Sequence, residues 1–286
     1  MKISSILELL LLASVWGASF LFVRIAVPVL GPVWLIELRV LLSGLTILLL
    51  SMRLNTVREI RANLASLFVL GCINLAIPFV LFAIAALYLP ASFAAILNAT
   101  APLFGIIIAA LWSNEKFTWS RFLGLVIGFC GVTILVGWTN IPWTISFVGS
   151  TIAGLSGALM YAIAAPFAKD RLSGVSSVAI ATGSQLSAAI VLLPLIPFFP
   201  PTTAVSWEVA TVTIALALFS TALAYILYFR LIDCIGVSNT LTVAYLVPLF
   251  AMLWGAIFLQ ESITVSMLVG CSLILSGTAI SVTKSK

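Results

Sequence analysis

Two ionisable residues, Glu37 and Arg39, stand in an otherwise apolar stretch, Leu35-Ile36-Glu37-Leu38-Arg39-Val40. An arginine at the centre of a hydrocarbon layer costs about 2.5–3.5 kcal/mol on insertion scales, so its presence asks for a partner or a task. Residues two apart on a helix point to different faces, so Glu37 is not an obvious intrahelical partner for Arg39. Arg39 is therefore a candidate for binding an anionic group of a solute. The alternative is a structural role, in which it snorkels outward or braces a helix. Glu37 is a candidate for coupling protons to that solute. Other apolar runs hold Trp16, Ser19, Phe20, Asn74, Asn98, Tyr161, Gln185, Tyr225 and Tyr245. These supply the mixture of rings and hydrogen-bonding groups that a pocket for a small organic molecule needs, and Tyr228 and Trp254 belong to the same class. Pro102 and Pro248 lie inside such runs, where each deletes a helical hydrogen bond, and they are candidate hinges.

The elements that carry these residues must be membrane spans. Hydrophobic residues make up 63% of the 286-residue chain and charged residues 7%, with a mean hydropathy of +1.30; no soluble fold hides that much apolar surface. The sequence has no histidine, which removes the commonest general base and metal ligand. Its four cysteines, Cys72, Cys130, Cys234 and Cys271, show no metal-binding spacing and read as packing residues. No cofactor and no nucleic-acid partner is expected, because the basic residues are scattered between apolar runs rather than gathered on one face. The first apolar run is long enough to be a span rather than a cleaved leader.

Apolar runs bounded by charge, proline or glycine predict ten spans, at about 7–27, 33–51, 64–87, 91–113, 118–137, 147–168, 175–198, 209–232, 237–259 and 264–282. The third and fourth are divided only at Tyr88–Pro90. On this count Lys2, Arg53, Arg58, Arg61, Lys116, Arg121, Lys169, Arg171, Arg230, Lys284 and Lys286 all fall on one side. Arg24 and Arg39 are left within or near the ends of the first two spans. Cytoplasmic loops retain positive charge, so both termini are expected in the cytoplasm of a multi-pass protein of the cell membrane.

The chain also repeats itself at an offset of about 146 residues. Ser92, Pro102, Leu103, Phe104, Ala110, Glu115, Thr118, Gly124 and Gly131 meet Ser238, Pro248, Leu249, Phe250, Ala256, Glu261, Thr264, Gly270 and Gly277. By the same register Arg39 falls near Gln185, and an offset of 145 sets Arg24 opposite Lys169. Residues 1–140 and 141–286 thus form two five-span units. Five is odd, so the second enters the bilayer upside down. The expected fold is an all-α membrane protein of ten transmembrane helices in two inverted repeats, an arrangement that recurs in secondary transporters. Glu115 and Glu261 would face opposite sides of the membrane and read as caps near the starts of the fifth and tenth spans.

Taken together, Trp16–Phe20 (W-G-A-S-F), Glu37–Arg39 (E-L-R) and the two strings P-L-F-x10-E followed by G-x6-G resemble the EamA-type branch of the drug/metabolite transporter superfamily, over essentially the whole chain. The resemblance implies a central cavity lined by spans 1–4 and 6–9, with spans 5 and 10 at the periphery, and export of amino acids or other metabolites. Tyr161 stands where many relatives carry tryptophan, and Asn98 is answered by Ala244.

The leading expectation is a secondary transporter of small organic metabolites, working in the lipid bilayer by alternating access. The alternative is a passive channel for small solutes. A membrane enzyme would need a nucleophile with its base, or a metal set, and neither is visible. A Walker-type phosphate loop is also absent from the sequence.

Overall fold

A computed structural model describes residues 3–112, 118–139 and 141–282, which contain helices and no strands. Seven of these helices are long and apolar enough to cross a membrane: α1 (Ile3–Arg53), α2 (Leu64–Tyr88), α3 (Ala91–Trp112), α4 (Trp119–Gly137), α5 (Ile145–Arg171), α6 (Ser177–Phe198) and α7 (Trp207–Ile232). Two shorter apolar helices follow, α8 (Val243–Leu259) and α9 (Val265–Val282). Their outward faces carry large exposed apolar side chains such as Leu49, Phe68, Ile190, Phe219 and Ile257, as a surface turned to lipid requires.

The first two expected spans come as one 51-residue element. Straight, it would run about 76 Å, more than twice a bilayer core. It is not straight, because Gly31 has φ 71° and ψ 163°, a conformation open to glycine and resisted by any side chain. The result is two arms, 3–30 and 32–53. Pro32 has no N–H to return to the Pro28 carbonyl, and Thr202 takes up the slack: its hydroxyl donates to Pro28 O at 2.7 Å and its N–H to Val29 O at 2.9 Å. Val27, Leu30, Leu35 and Ile36, from both arms, share one buried cluster.

Three other helices are irregular inside the bundle. In α2, Cys72–Ala76 forms a π-helical turn in which the Ile77 N–H reaches back five residues to Cys72 O. Pro78 comes next, and its missing N–H leaves the Asn74 carbonyl without its α-helical donor. In α7, Leu218–Leu223 forms a second π-helical turn, with the Ala224 N–H on Phe219 O. The third break is in α3, which stops at Asn98, turns through Ala99–Thr100 and restarts at Ala101. Pro102 is thus in the first turn of the restarted segment, where its lost N–H costs nothing. That corrects the expectation of a proline in mid-helix, whereas Pro248 does lie inside α8.

Helices α4 and α9 run antiparallel in close contact. A methyl added at Gly277 would lie 2.4 Å from Gly124 O, and one added at Gly131 would lie 2.8 Å from Gly270 O. Only small residues allow backbones this near.

Candidate functional site

Inside the bundle is a cavity of about 310 Å³, lined from both arms of α1 and from α2, α3, α5, α7 and α8. Helices α4 and α9 stay away from it, as the family resemblance implies for spans 5 and 10. Unlike that expectation, α6 contributes no lining residue among those described.

Eight of the ten residues expected to bind solute meet here: Trp16, Ser19, Phe20, Arg39, Asn74, Asn98, Tyr161 and Tyr225. Arg39 is buried, so it does not snorkel. Its Nε donates to Thr221 Oγ1 at 3.0 Å, and its guanidinium carbon lies 3.8 Å from the centre of the Phe79 ring. Arg39 therefore ties the α1 arm to the π turn of α7 and rests on a ring just past the π turn of α2. A cation over an aromatic face is attracted by the ring quadrupole, by about 2 kcal/mol where water is excluded.

Both π turns face the cavity. Asn74 comes from the first and Ser220 from the second, and Ser220 Oγ donates to Val15 O at 2.9 Å. The Thr221 hydroxyl donates to Leu216 O at 2.9 Å, so the oxygen that receives Arg39 is itself held in place. Aromatic rings form one wall: Phe82 stacks on Tyr161 at 5.9 Å and meets Phe20 edge-on at 6.1 Å. Gly157 makes room for that wall, since a methyl there would lie 2.8 Å from the Phe82 ring. Asn98 and Pro102 bring the α3 break to the cavity, and the buried Asn98 Oδ1 has no hydrogen-bond partner.

Gln185 and Tyr245 are not in the site. Gln185 is fully buried with both polar side-chain atoms unpaired, and it packs opposite Gly44 of α1. On α8 the cavity face belongs to Ala244 and Val247; Tyr245 and Pro248, one residue further on, are turned about 100° away from each. Trp254 donates its indole N–H to Ser14 O at 3.0 Å, and Tyr228 packs on Trp16 at 5.4 Å, so both are packing residues. Glu37 is buried, with neither carboxylate oxygen hydrogen-bonded, and it does not line the cavity. Sequence reading missed Phe79, Phe82, Ser220 and Thr221. The repeat register held one signal for them, because an offset of 146 sets Ser220 opposite Asn74.

The two ends of the bundle differ. At one, Arg24 donates to the carbonyls of Ala86 and Leu87, the last turn of α2. Glu261 accepts from the N–H groups of Ala91 (2.7 Å) and Ser92 (3.2 Å) and from the Ser92 hydroxyl (2.7 Å), the first turn of α3. The turn between the helices thus has a cation at its carbonyl end and a carboxylate at its amide end, as helix dipoles favour. This corrects the expectation that Glu261 caps its own span. Gln260, at φ 54°, turns the chain, and Gly255 leaves space for the carboxylate, which would lie 2.5 Å from an added methyl. Glu115 lies outside the described residues. At the other end, about 24 Å along α1, Arg230 and Glu8 form an ion pair at 3.1 Å with side chains 65% and 23% exposed, a contact worth at most about 1 kcal/mol.

Comparison with known proteins fits this architecture. The family model described as the EamA-like transporter family matches twice, over residues 3–137 and 149–283. A Bacillus subtilis protein named as the uncharacterized transporter YvbV is 27% identical over all of this chain and 93% of its own length. A protein of Streptantibioticus cattleyicolor named as a probable terminal-alkyne amino-acid exporter is 23% identical over 97% of this chain and 93% of its own. A solved crystal structure, 17% identical, superposes with a TM-score of 0.65 over 99% of this chain and 97% of that one. With nearly the whole chain covered by two copies of one family model, this multi-pass membrane protein belongs to the EamA-like transporter family.

Proposed function

We propose that the chain is a secondary transporter, and an exporter, of small organic metabolites such as amino acids or amphipathic compounds, working by alternating access around the cavity that holds Arg39. In this reading the two arms of α1 are separate spans, giving ten. Residues 1–140 and 141–286 are the two inverted five-helix halves, and both termini are cytoplasmic. The observation that carries the reading is the pair of π-helical turns, Cys72–Ala76 and Leu218–Leu223, which begin 146 residues apart and both present a polar side chain to one cavity. The α4–α9 contact supports it further: adding 146 to one partner of the Gly124–Gly277 pair and subtracting it from the other gives Gly270–Gly131, the self-matching pattern of a two-fold axis.

The break at Ala99–Thr100 and Pro102 is the hinge on one side, and Pro248 is its counterpart on the other. Glu37, buried without a hydrogen-bond partner two residues from Arg39, is the group that would couple protons to the cycle. The name of the S. cattleyicolor relative is consistent with outward movement of a small carboxylic metabolite.

The topology is tested without knowing the solute. Single cysteines at Arg58 and Ala204, in a background lacking the native four, should react with a membrane-impermeant maleimide from opposite faces. Reaction of both from one face would remove the inverted arrangement, and alternating access by symmetric halves with it.

A further inference from the structure

Arg39 is the one charged residue among the described lining of the cavity. Its described neighbours, the Thr221 hydroxyl, the Phe79 ring and the Tyr161 and Tyr225 phenols, carry no formal charge. Among the described carboxylates, Glu8 pairs with Arg230, Glu59 accepts at Ser176, Asp170 accepts from the Trp112 indole, Glu261 caps the start of α3, and Glu208 is exposed at the start of α7. Glu37 lines a different face of its helix and touches no donor.

We propose that the solute is a small organic monoanion, a carboxylate on an apolar or aromatic tail, and that the site discriminates against zwitterions and cations. This rests on the transport reading and narrows its substrate class at the same site: of the solutes named there it keeps amphipathic carboxylates and excludes amino acids. A guanidinium desolvated in a cavity without a counter-ion leaves the site one positive charge in excess, which a carboxylate neutralises while forming charge-assisted hydrogen bonds. An amino acid brings the same carboxylate but also an ammonium, only two bonds away from it. That ammonium would enter a low-dielectric space beside a fixed cation with no anion to receive it, and it would give up its water to do so. Asn98 Oδ1 has no hydrogen-bond partner, but it is closed off and uncharged, so it does not offset a full charge. The tail then lies against the wall of Phe20, Phe82 and Tyr161, which excludes water and strengthens the ion pair.

The test uses the full-length protein in nanodiscs and four probes with one phenyl tail: hydrocinnamate, phenylalanine, phenethylamine and hydrocinnamamide. Hydrocinnamate should bind at least about tenfold tighter than phenylalanine or the amide, and phenethylamine should bind weakest. Arg39→Gln should lower hydrocinnamate affinity at least about tenfold and erase the preference over the amide, while Arg39→Lys keeps part of both. If Arg39→Gln does not fold, the ranking on the wild-type protein decides alone. Phenylalanine or phenethylamine binding as tightly as hydrocinnamate, binding of none of the four, or unchanged hydrocinnamate affinity in folded Arg39→Gln would each overturn the proposal. The transport reading stands or falls separately, on the solute-free labelling of Arg58 and Ala204.

Discussion

The two matched segments of the chain, 3–137 and 149–283, share a frame and differ in what they place on it. Each carries a π-helical turn in register, Cys72–Ala76 and Leu218–Leu223, and each contributes two register-matched glycines to the α4–α9 contact. At matched positions the polar content diverges. Arg39 answers to Gln185, Asn98 to Ala244, and Asn74 to Ser220. The first segment supplies the charge and both amides that reach the cavity, and the second supplies the Thr221 hydroxyl that receives Arg39. The π-helical turns and the glycine spacing are properties of the frame and are kept in both copies. The chemistry of the site is carried by single side chains that need occur only once around a shared cavity.

If the frame is shared, damage to it should register from either copy, and most where the backbones come nearest. The largest effect is expected for Gly277→Ala, where the new methyl meets backbone atoms, Gly124 O at 2.4 Å and the Gly128 N at 2.6 Å, that cannot move without shifting a helix. We expect a loss of about 3 kcal/mol, at the upper end of overpacking costs. Gly131→Ala, whose nearest contacts lie at 2.8 and 2.9 Å, should cost about 1 kcal/mol. Thermal unfolding of the purified variants gives the ranking, and a reversed order would break the claim that backbone contact governs this interface.

Carboxylates that cap a helix of another element offer a finer comparison. Glu261 joins the two segments by three hydrogen bonds to the start of α3, and Glu261→Ala should cost about 1–2 kcal/mol as a lost cap. Glu59 lies in the short helix Val57–Ala62 and accepts from the Ser176 N–H at 2.6 Å. Hydrogen bonds from the Ser176 backbone and side chain hold its carboxyl below the usual range. Its folded value is thus lower than its unfolded one, so its contribution is fully present above the unfolded value and is lost as pH falls through the lowered folded value. Glu59→Gln should lower the thermal midpoint by less than Glu261→Ala at neutral pH, and the gap between Glu59→Gln and the parent should close in acid. A gap that widened in acid would contradict the cap.

Much of this frame was legible in the sequence. Charge spacing and apolar run lengths located the helices, and the break at Tyr88–Pro90 lies where proline and tyrosine placed it, with Leu89 and Pro90 between α2 and α3. The π turns were not legible, because one slipped hydrogen bond leaves the apolar pattern unchanged; Pro78 was the only trace, and it has no counterpart at Ala224. Orientation about the helix axis was equally hidden. Helices with protein on one side and lipid on the other are apolar all round, so nothing in the sequence set Gln185 against Gly44 or turned Tyr245 from the cavity. Arg39 was found because charge in such a helix is rare for an energetic reason, whichever way it points.

The central claim is that two like halves exchange which end of the cavity is closed. It is tested most directly by distances between spin labels on single-cysteine pairs in lipid nanodiscs. One pair, at Tyr88 and Ile263, would report on the end held by Arg24 and Glu261; the other, at Leu54 and Leu241, would report on the end where Glu8 meets Arg230. All four sites are exposed. The account predicts two distances for each pair, with Glu261→Gln lengthening the first and shortening the second in the same sample. A single fixed distance at both ends, or both ends lengthening together as in an open channel, would contradict it.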